Sequence, residues 1–177
     1  ELKYKDIYKY DANNNKISSS FYRADESLMF KFVFKYDANN NQIQFAKYDE
    51  DGSLDYKYNY QYDSNNNMIQ EAYYSQFNES NSKSYFKYDT NNNMIEFSHY
   101  DSNGDLEYRH TYIYDSNDNL IETSKYNEFE SIEKRKTKKY NSHNLLIEES
   151  TYEFEQTFGE LQAIQTSKQV VEYEYYE

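Results

Sequence analysis

The chain has 177 residues, a formal net charge of -13, and no cysteine, proline or tryptophan. The missing cysteines exclude a disulfide framework, a thiolate nucleophile and a cysteine-held metal, and the acidic balance argues against binding nucleic-acid phosphates. Leu, Ile, Val and Phe total only 32 residues, which at this charge usually marks disorder, but 24 tyrosines recur periodically and can build an ordered sheet.

The phrase "YDANNN" at Tyr10 returns at Tyr36, as "YDSNNN" at Tyr62 and "YDTNNN" at Tyr88, then as "YDSNDN" at Tyr114 and "YNSHNL" at Tyr140. These anchors stand 26 residues apart throughout. Seven residues past each anchor lies an isoleucine (Ile17, Ile43, Ile69, Ile95, Ile121, Ile147), and twelve past it a tyrosine (Tyr22, Tyr48, Tyr74, Tyr100, Tyr126, Tyr152). Such an array is the fold.

In chain order, each anchor opens a turn. Asp and Asn bond their own backbone there and tolerate a left-handed conformation, so "DANNN" reads as a hairpin turn. A short strand follows, as in "QIQFAKY" at Gln42–Tyr48. Next comes a second turn, "YDEDGSL" at Tyr48 or "YDSNGDL" at Tyr100, with glycine expected at the positive-φ position. A longer strand closes the unit: "LMFKFVFKY" from Leu28, "LDYKYNYQY" from Leu54 and "LEYRHTYIY" from Leu106 alternate aromatic and polar residues, the mark of one ring-bearing face. If Tyr48 opposes Leu54, simple counting sets the small residues Ser20, Ala46, Ala72, Ser98, Ser124 and Ser150 opposite large rings, and sends the isoleucines to the other face unless a bulge intervenes.

Two places break the pattern. "FNESNSKSYF" at Phe77–Phe86 puts Ser80, Ser82 and Ser84 in ring columns and predicts a weak spot or kink. "EKRKTKKY" substitutes Lys134, Lys136 and Lys138, for which cross-strand pairing with the glutamates of "IEESTYEFE" is expected. After Tyr152 the spacing fails: "QTFGELQAIQTSKQ" reads as an insertion and "VVEYEYYE" as a closing strand, so residues 153–177 form a C-terminal cap.

The expected fold is therefore all-β: one repeat domain over 1–177, an antiparallel meander of about a dozen strands with a tyrosine face. Such a sheet must curl, close or cover that face with a partner. Tyr58 is expected to be core, its removal costing about 3 kcal/mol or more.

Candidate sites follow from the columns. Tyr56, Tyr58, Tyr60, Tyr108 and Tyr112 would bind a ligand such as a sugar ring if left open, and are core otherwise. Lys5, Lys31, Lys57, Lys83, Arg109 and Arg135 form a basic column on the opposite face, an anion site unless neighbouring carboxylates balance it. The Asp/Asn turns present oxygens as calcium loops do, but Lys16 and Tyr22 stand where an EF-hand needs glycine and glutamate, so no metal is expected. His99, His110 and His143 sit at unrelated offsets, and no catalytic motif is present. The expectations are no catalytic residue, no cofactor and no membrane span, with a protein or a glycan as partner, or self-association of the sheet. The opening Glu1 reads as a processed product or a piece of a longer chain.

The doublets "YDANNNKI", "YDEDGSL" and "YDSNGDL" resemble the tyrosine–aspartate (YD, or RHS-type) repeats of bacterial secreted and surface proteins, over about Leu2 to Tyr152. The resemblance implies hairpins in a curling sheet used as a shell or extended surface, outside the cell or on its surface. In that family long arrays wrap into cocoons around toxin domains. Two departures stand out: asparagine replaces the usual first-turn glycine, and each unit holds two YD-like turns. The family motif is structural, so no functional residue carries over.

Overall fold

The computed structural model describes residues 3–76, 81–157 and 159–173. Thirteen strands run in sequence order: β1 (Tyr4–Tyr10), β2 (Lys16–Arg23), β3 (Leu28–Tyr36), β4 (Gln42–Asp49), β5 (Leu54–Tyr62) and β6 (Met68–Ser75). Then come β7 (Asn81–Tyr88), β8 (Met94–Tyr100), β9 (Leu106–Tyr114), β10 (Leu120–Asn127), β11 (Ile132–Tyr140), β12 (Leu146–Thr157) and β13 (Glu160–Val170). They form one antiparallel meander in which each strand bonds its sequence neighbours, with β1 and β13 at its open ends. The sheet is not closed. Two compact units are distinguished, Glu1–Tyr85 with Tyr100–Gly104, and Phe86–His99 with Asp105–Glu177.

Both turns of the repeat are one geometry. In the first, Asp11 N–H donates to Asn15 O (2.9 Å) and Asn14 N–H to Asp11 O (3.2 Å). In the second, Asp49 N–H donates to Ser53 O (2.9 Å) and Gly52 N–H to Asp49 O (3.0 Å). The fourth residue of each loop is left-handed: Asn14, Asn40, Asn66, Asn92, Asp118 and Asn144 in first turns, and Gly52 and Gly104 in second turns, as expected. Glu26 and Glu130 take the same conformation in two other second turns. This is a type I turn followed by one left-handed residue, whose backbone path matches the twist of a hairpin.

The first turns also bond to each other. Asn13 and Asn15 donate their side-chain amides to Asn40 Oδ1 at 3.2 and 2.8 Å, and Asn39 and Asn41 donate to Asn66 Oδ1 at 3.3 and 2.8 Å. In the second unit, Asn91 and Asn93 donate to Asp118, and Asn117 and Asn119 to Asn144. Asn40, Asn66, Asp118 and Asn144 thus each accept two bonds from the turn before. Within each loop the leading carboxylate is used locally: Asp11 Oδ1 accepts from Asn13 and Asn15 N–H (2.8 and 2.9 Å), and Oδ2 accepts from the Asn15 amide.

A tyrosine latch ties each unit to the one before. The hydroxyls of Tyr36, Tyr62, Tyr114 and Tyr140 donate to the carbonyls of Lys16, Gln42, Met94 and Leu120 at 3.1, 2.9, 3.1 and 3.3 Å. Burial first, and then the carboxylate of Asp11, Asp37 or Asp89, pushes the hydroxyls of Tyr36, Tyr62 and Tyr114 up from the usual phenol range.

Bulges set the faces. Strand pairing steps over Ile17, Ile43, Ile69, Ile121 and Ile147 beside first turns, and over Met29, Asp55 and Glu133 beside second turns. Each extra residue resets the alternation. Tyr48 does face Leu54, but Lys47 then faces Tyr56, and Ala46 faces Lys57 instead of a ring. The expected pairing of small residues with aromatics is therefore corrected: Ser20, Ala46, Ala72 and Ser124 face Lys31, Lys57, Lys83 and Arg135. The bulge that the isoleucines required lies at the isoleucines themselves.

The interior is equally unexpected. Among the described residues, Ala46 is the one buried hydrophobic residue, and the rest of the buried set is serine and threonine, including Ser18, Ser19, Ser98, Ser124 and Ser150. A small side chain between long ones on adjacent strands is covered by their stems. The rings themselves are half-buried. Tyr58 is among them, so its loss costs roughly 1–2 kcal/mol rather than the 3–5 of a fully buried ring.

The C-terminal stretch also departs from expectation. The insertion "QTFGELQAIQTSKQ" is itself paired strand: β12 runs on to Thr157 and β13 returns from Glu160 to Val170. Tyr173 follows that longer hairpin, 33 residues after Tyr140, and still donates to Leu146 O at 3.1 Å. Residues 174–177, expected as part of a closing strand, and Phe77–Ser80 of the expected weak spot lie outside the described residues.

Replacing Tyr62 by Phe removes one latch bond and should lower unfolding free energy in urea by about 1 kcal/mol. Tyr10→Phe, whose hydroxyl makes no such bond among the described residues, should leave the 177-residue chain unchanged.

Candidate functional site

In the first unit the aromatic face runs from β1, where Tyr8 meets Phe21 edge-on at 6.5 Å, to β6. Phe21 stacks on Phe30 (4.6 Å between centroids) and Phe32 on Phe45 (5.4 Å). Phe45 lies against Tyr56 and Tyr58 (5.9 and 6.2 Å), and Tyr58 meets Tyr73 at 4.9 Å. Tyr58 and Tyr60 are nearly parallel, at 6.3 Å and 5°. The expected trio Tyr56, Tyr58 and Tyr60 is thus one patch. Tyr60 has its hydroxyl pushed up to about 12, by burial first and then by the Glu71 carboxylate and neighbouring tyrosines. Beyond Tyr73 the face turns polar, where Ser82 opposes Tyr73 and Ser84 opposes Glu71.

In the second unit, Tyr108 and Tyr112 are joined through a residue that column-counting passed over. His110 stands 5.7 Å from Tyr108 and 6.5 Å from Tyr112, and His99 stacks on Tyr108 at 5.2 Å. His110 occupies the column of Phe32 and Tyr58, and His99 that of Phe21 and Tyr73, so both histidines are members of the ring face. The signal was available in their offsets. Burial first, and then Lys125, pushes the His110 imidazole below its ordinary value, favouring the neutral ring.

On the opposite face the basic column is largely engaged. Arg109 lies 4.1 Å over the Tyr126 ring and 3.7 Å from both Glu96 and Glu130. Arg135 meets Glu122 at 3.2 Å and lies over Phe154, while Lys57 lies 5.1 Å over Tyr74. These stackings follow from the bulges, which carry the second-turn tyrosines onto the basic face: Tyr48, Tyr74, Tyr126 and Tyr152 pair with Lys31, Lys57, Arg109 and Arg135. Lys31 is half-buried in that pairing, and Lys83 and Lys5 are exposed. The lysines of β11 pair across the strand, Lys134 with Glu153 (3.7 Å), and Lys136 and Lys138 with Glu149 (2.8 and 3.9 Å).

No group of three or more metal-ligating side chains occurs among the described residues. The turn aspartates that resemble calcium ligands spend their oxygens on N–H donors. For Asp63 and Asp89 the backbone N–H of Asn67 and Asn93 leads in holding the carboxyl below the usual range. The geometry offers a ring-lined surface.

No family model and no curated protein matches the chain. Solved structures do. The crystal structure of TcdB2-TccC3 without its hypervariable C-terminal region matches with TM-score 0.61 at 13% identity, over 92% of this chain and 9% of that one. The structure of TcdB2-TccC3 itself matches with TM-score 0.49 at 10% identity, over 94% of this chain and 12% of that one. This chain thus spans about a tenth of the structures it resembles. The first match supports an RHS/YD-like β-repeat fold.

An imidazole depressed on folding adds stability that is present above its unfolded value near pH 6.5 and is lost as pH falls toward the folded one. Urea midpoints should therefore drop between pH 7 and pH 5 in the native chain, and His110→Phe should flatten that part of the drop.

Proposed function

We propose that this chain is a non-catalytic YD-repeat-type β module of a bacterial secreted or surface protein, serving as structural scaffold or protein-contact surface. The observation that carries the reading is the ring patch Phe45, Tyr56, Tyr58, Tyr60 and Tyr73, half-exposed on one sheet face. Tyrosine suits such a contact, since its ring buries area at small entropic cost while its hydroxyl stays wet. The paired state of Arg109 and Arg135 supports a structural role for the basic column.

A second reading, a carbohydrate-binding module, is favoured by the near-parallel Tyr58 and Tyr60 rings, which offer a strip on which sugar faces could stack. A third, part of a toxin-encapsulating shell, draws on the YD resemblance and on the fold likeness to TcdB2-TccC3.

A photo-crosslinking residue at position 58 separates these readings. In medium from cells producing the native parent, the first reading expects a discrete protein adduct that is lost at solvent-facing control position 61. Quenching of tyrosine fluorescence by one polysaccharide, abolished by Tyr58→Ala, would replace it with the second. Substrate turnover abolished by a single substitution would overturn both.

A further inference from the structure

The ring face changes character after β9. By register, Tyr108, His110 and Tyr112 of β9 are followed on the same face by Thr123 and Lys125 of β10 and by Lys134, Lys136 and Lys138 of β11. Glu149, Thr151 and Glu153 of β12 come next. In β5 the columns of Lys134, Lys136 and Lys138 hold Tyr56, Tyr58 and Tyr60, and in β4 and β8 the column of Thr123 holds Phe45 and Phe97. Two exchanges thus lie side by side: cations in place of rings, and a short hydroxyl side chain in place of the ring next to them.

The first exchange leaves a charge. Lys125 stands directly opposite Lys134, and like charges so placed work against the sheet. On this face, among the described residues, four lysines share three carboxylates. Lys125 meets Glu133 at 2.7 Å and Lys134 meets Glu153 at 3.7 Å, while Lys136 and Lys138 both approach Glu149, at 2.8 and 3.9 Å. The second exchange leaves a space, a hollow of about 40 Å³ lined by Leu120, Glu122, Thr123, Lys136 and Lys138. The Glu122 carboxylate is engaged by Arg135 at 3.2 Å and by the Ser124 hydroxyl at 3.1 Å. Two lysines, one hydroxyl and one apolar side chain therefore give the hollow its chemistry.

We propose that this hollow receives the carboxylate of a glutamate side chain carried by an acidic segment of a partner protein. Its volume is close to one water molecule's share of the liquid, about 30 Å³, which suits a carboxylate group and is too small for a sugar ring. Lys136 and Lys138 supply charge-assisted donors, Leu120 covers the methylene stem, and one carboxylate matches the one lysine in excess. A sugar would also need acceptors for its hydroxyls, and the one carboxylate of the lining is already engaged. Resting on the protein-contact reading, the hollow adds a partner chemistry at residues other than the Tyr56, Tyr58 and Tyr60 patch. A failed crosslink at position 58 and a hollow that takes no glutamate are therefore separate results.

The probe is the blocked tripeptide acetyl-Gly-Glu-Gly-amide, titrated at low salt into the isotope-labelled 177-residue chain and followed by amide chemical shifts. Its glutamine counterpart and methyl glucuronide are the controls. Saturable shifts centred on residues 120–123 and 136–138, absent with the glutamine peptide and at least about fivefold weaker in Lys136→Gln, would support the assignment. No saturable shift, equal binding of the glutamine peptide, or tighter binding of the glucuronide would overturn it. Because Lys136→Gln also removes the ion pair to Glu149, Thr123→Phe is the second variant. It restores the ring that Phe45 and Phe97 supply in this column, keeps every lysine and fills the hollow. The glutamate response should be lost, and an undiminished response would sink the proposal.

Discussion

The structure depends on hydrogen bonds that join turns 26 residues apart. A sheet whose one buried hydrophobic residue among those described is Ala46 cannot draw cohesion from a thick apolar interior. Its repeats must instead hold to their neighbours through strand pairing, latches and ladders, the nearest-neighbour coupling expected of a repeat protein. The asparagine at the fourth turn position serves twice. It adopts the left-handed conformation at low cost, and its carbonyl oxygen accepts two amides from the preceding turn. Glycine would meet the first need and not the second, which explains why first turns carry asparagine where second turns can carry Gly52 and Gly104. The second-turn edge has a different tie, the exposed Arg23–Glu50 ion pair at 2.6 Å, which salt will weaken while the neutral rungs onto Asn40 and Asn66 are unaffected.

The bulges distribute chemistry between the two faces. Without them, the second-turn tyrosines would sit in the ring face and the small residues opposite aromatics. With one extra residue beside each turn, Tyr74 and Tyr126 move to the other face and stack beneath Lys57 and Arg109. One face becomes a strip of rings, and the other a lattice of cations, carboxylates and tyrosines over buried serines. Ser124 shows the economy of that second face: its hydroxyl donates to Glu122 at 3.1 Å and accepts from Arg135 at 3.4 Å.

Much of this architecture is legible in the order of the residues. The period, the strands, both turns and the ring-bearing strands follow from alternation and from Asp/Asn/Gly placement. What stays hidden has a common cause, because counting by twos assumes an unbroken ladder. One skipped residue at Ile43 or Asp55 inverts every inference beyond it, and neither residue announces a bulge. The inter-turn ladder is hidden for another reason: "NNN" is already sufficient as a turn, so nothing local demands a second role. At the C-terminus the lost spacing conceals the Tyr173 latch, which keeps its bond by waiting for a longer hairpin to close. His110 and His99 escape a reading that weighs histidine as chemistry, although their columns identify them as rings.

The central claim is that the left-handed asparagine links repeats as well as turning the chain. Asn40→Gly keeps the backbone conformation and removes only the acceptor shared by Asn13 and Asn15. Equilibrium unfolding of the 177-residue chain should show a loss of about 1–3 kcal/mol for Asn40→Gly, and no loss for Asn14→Gly, whose side chain accepts no inter-turn bond among the described residues. Equal effects at the two positions would contradict the account and reduce the repeated phrase to a turn signal.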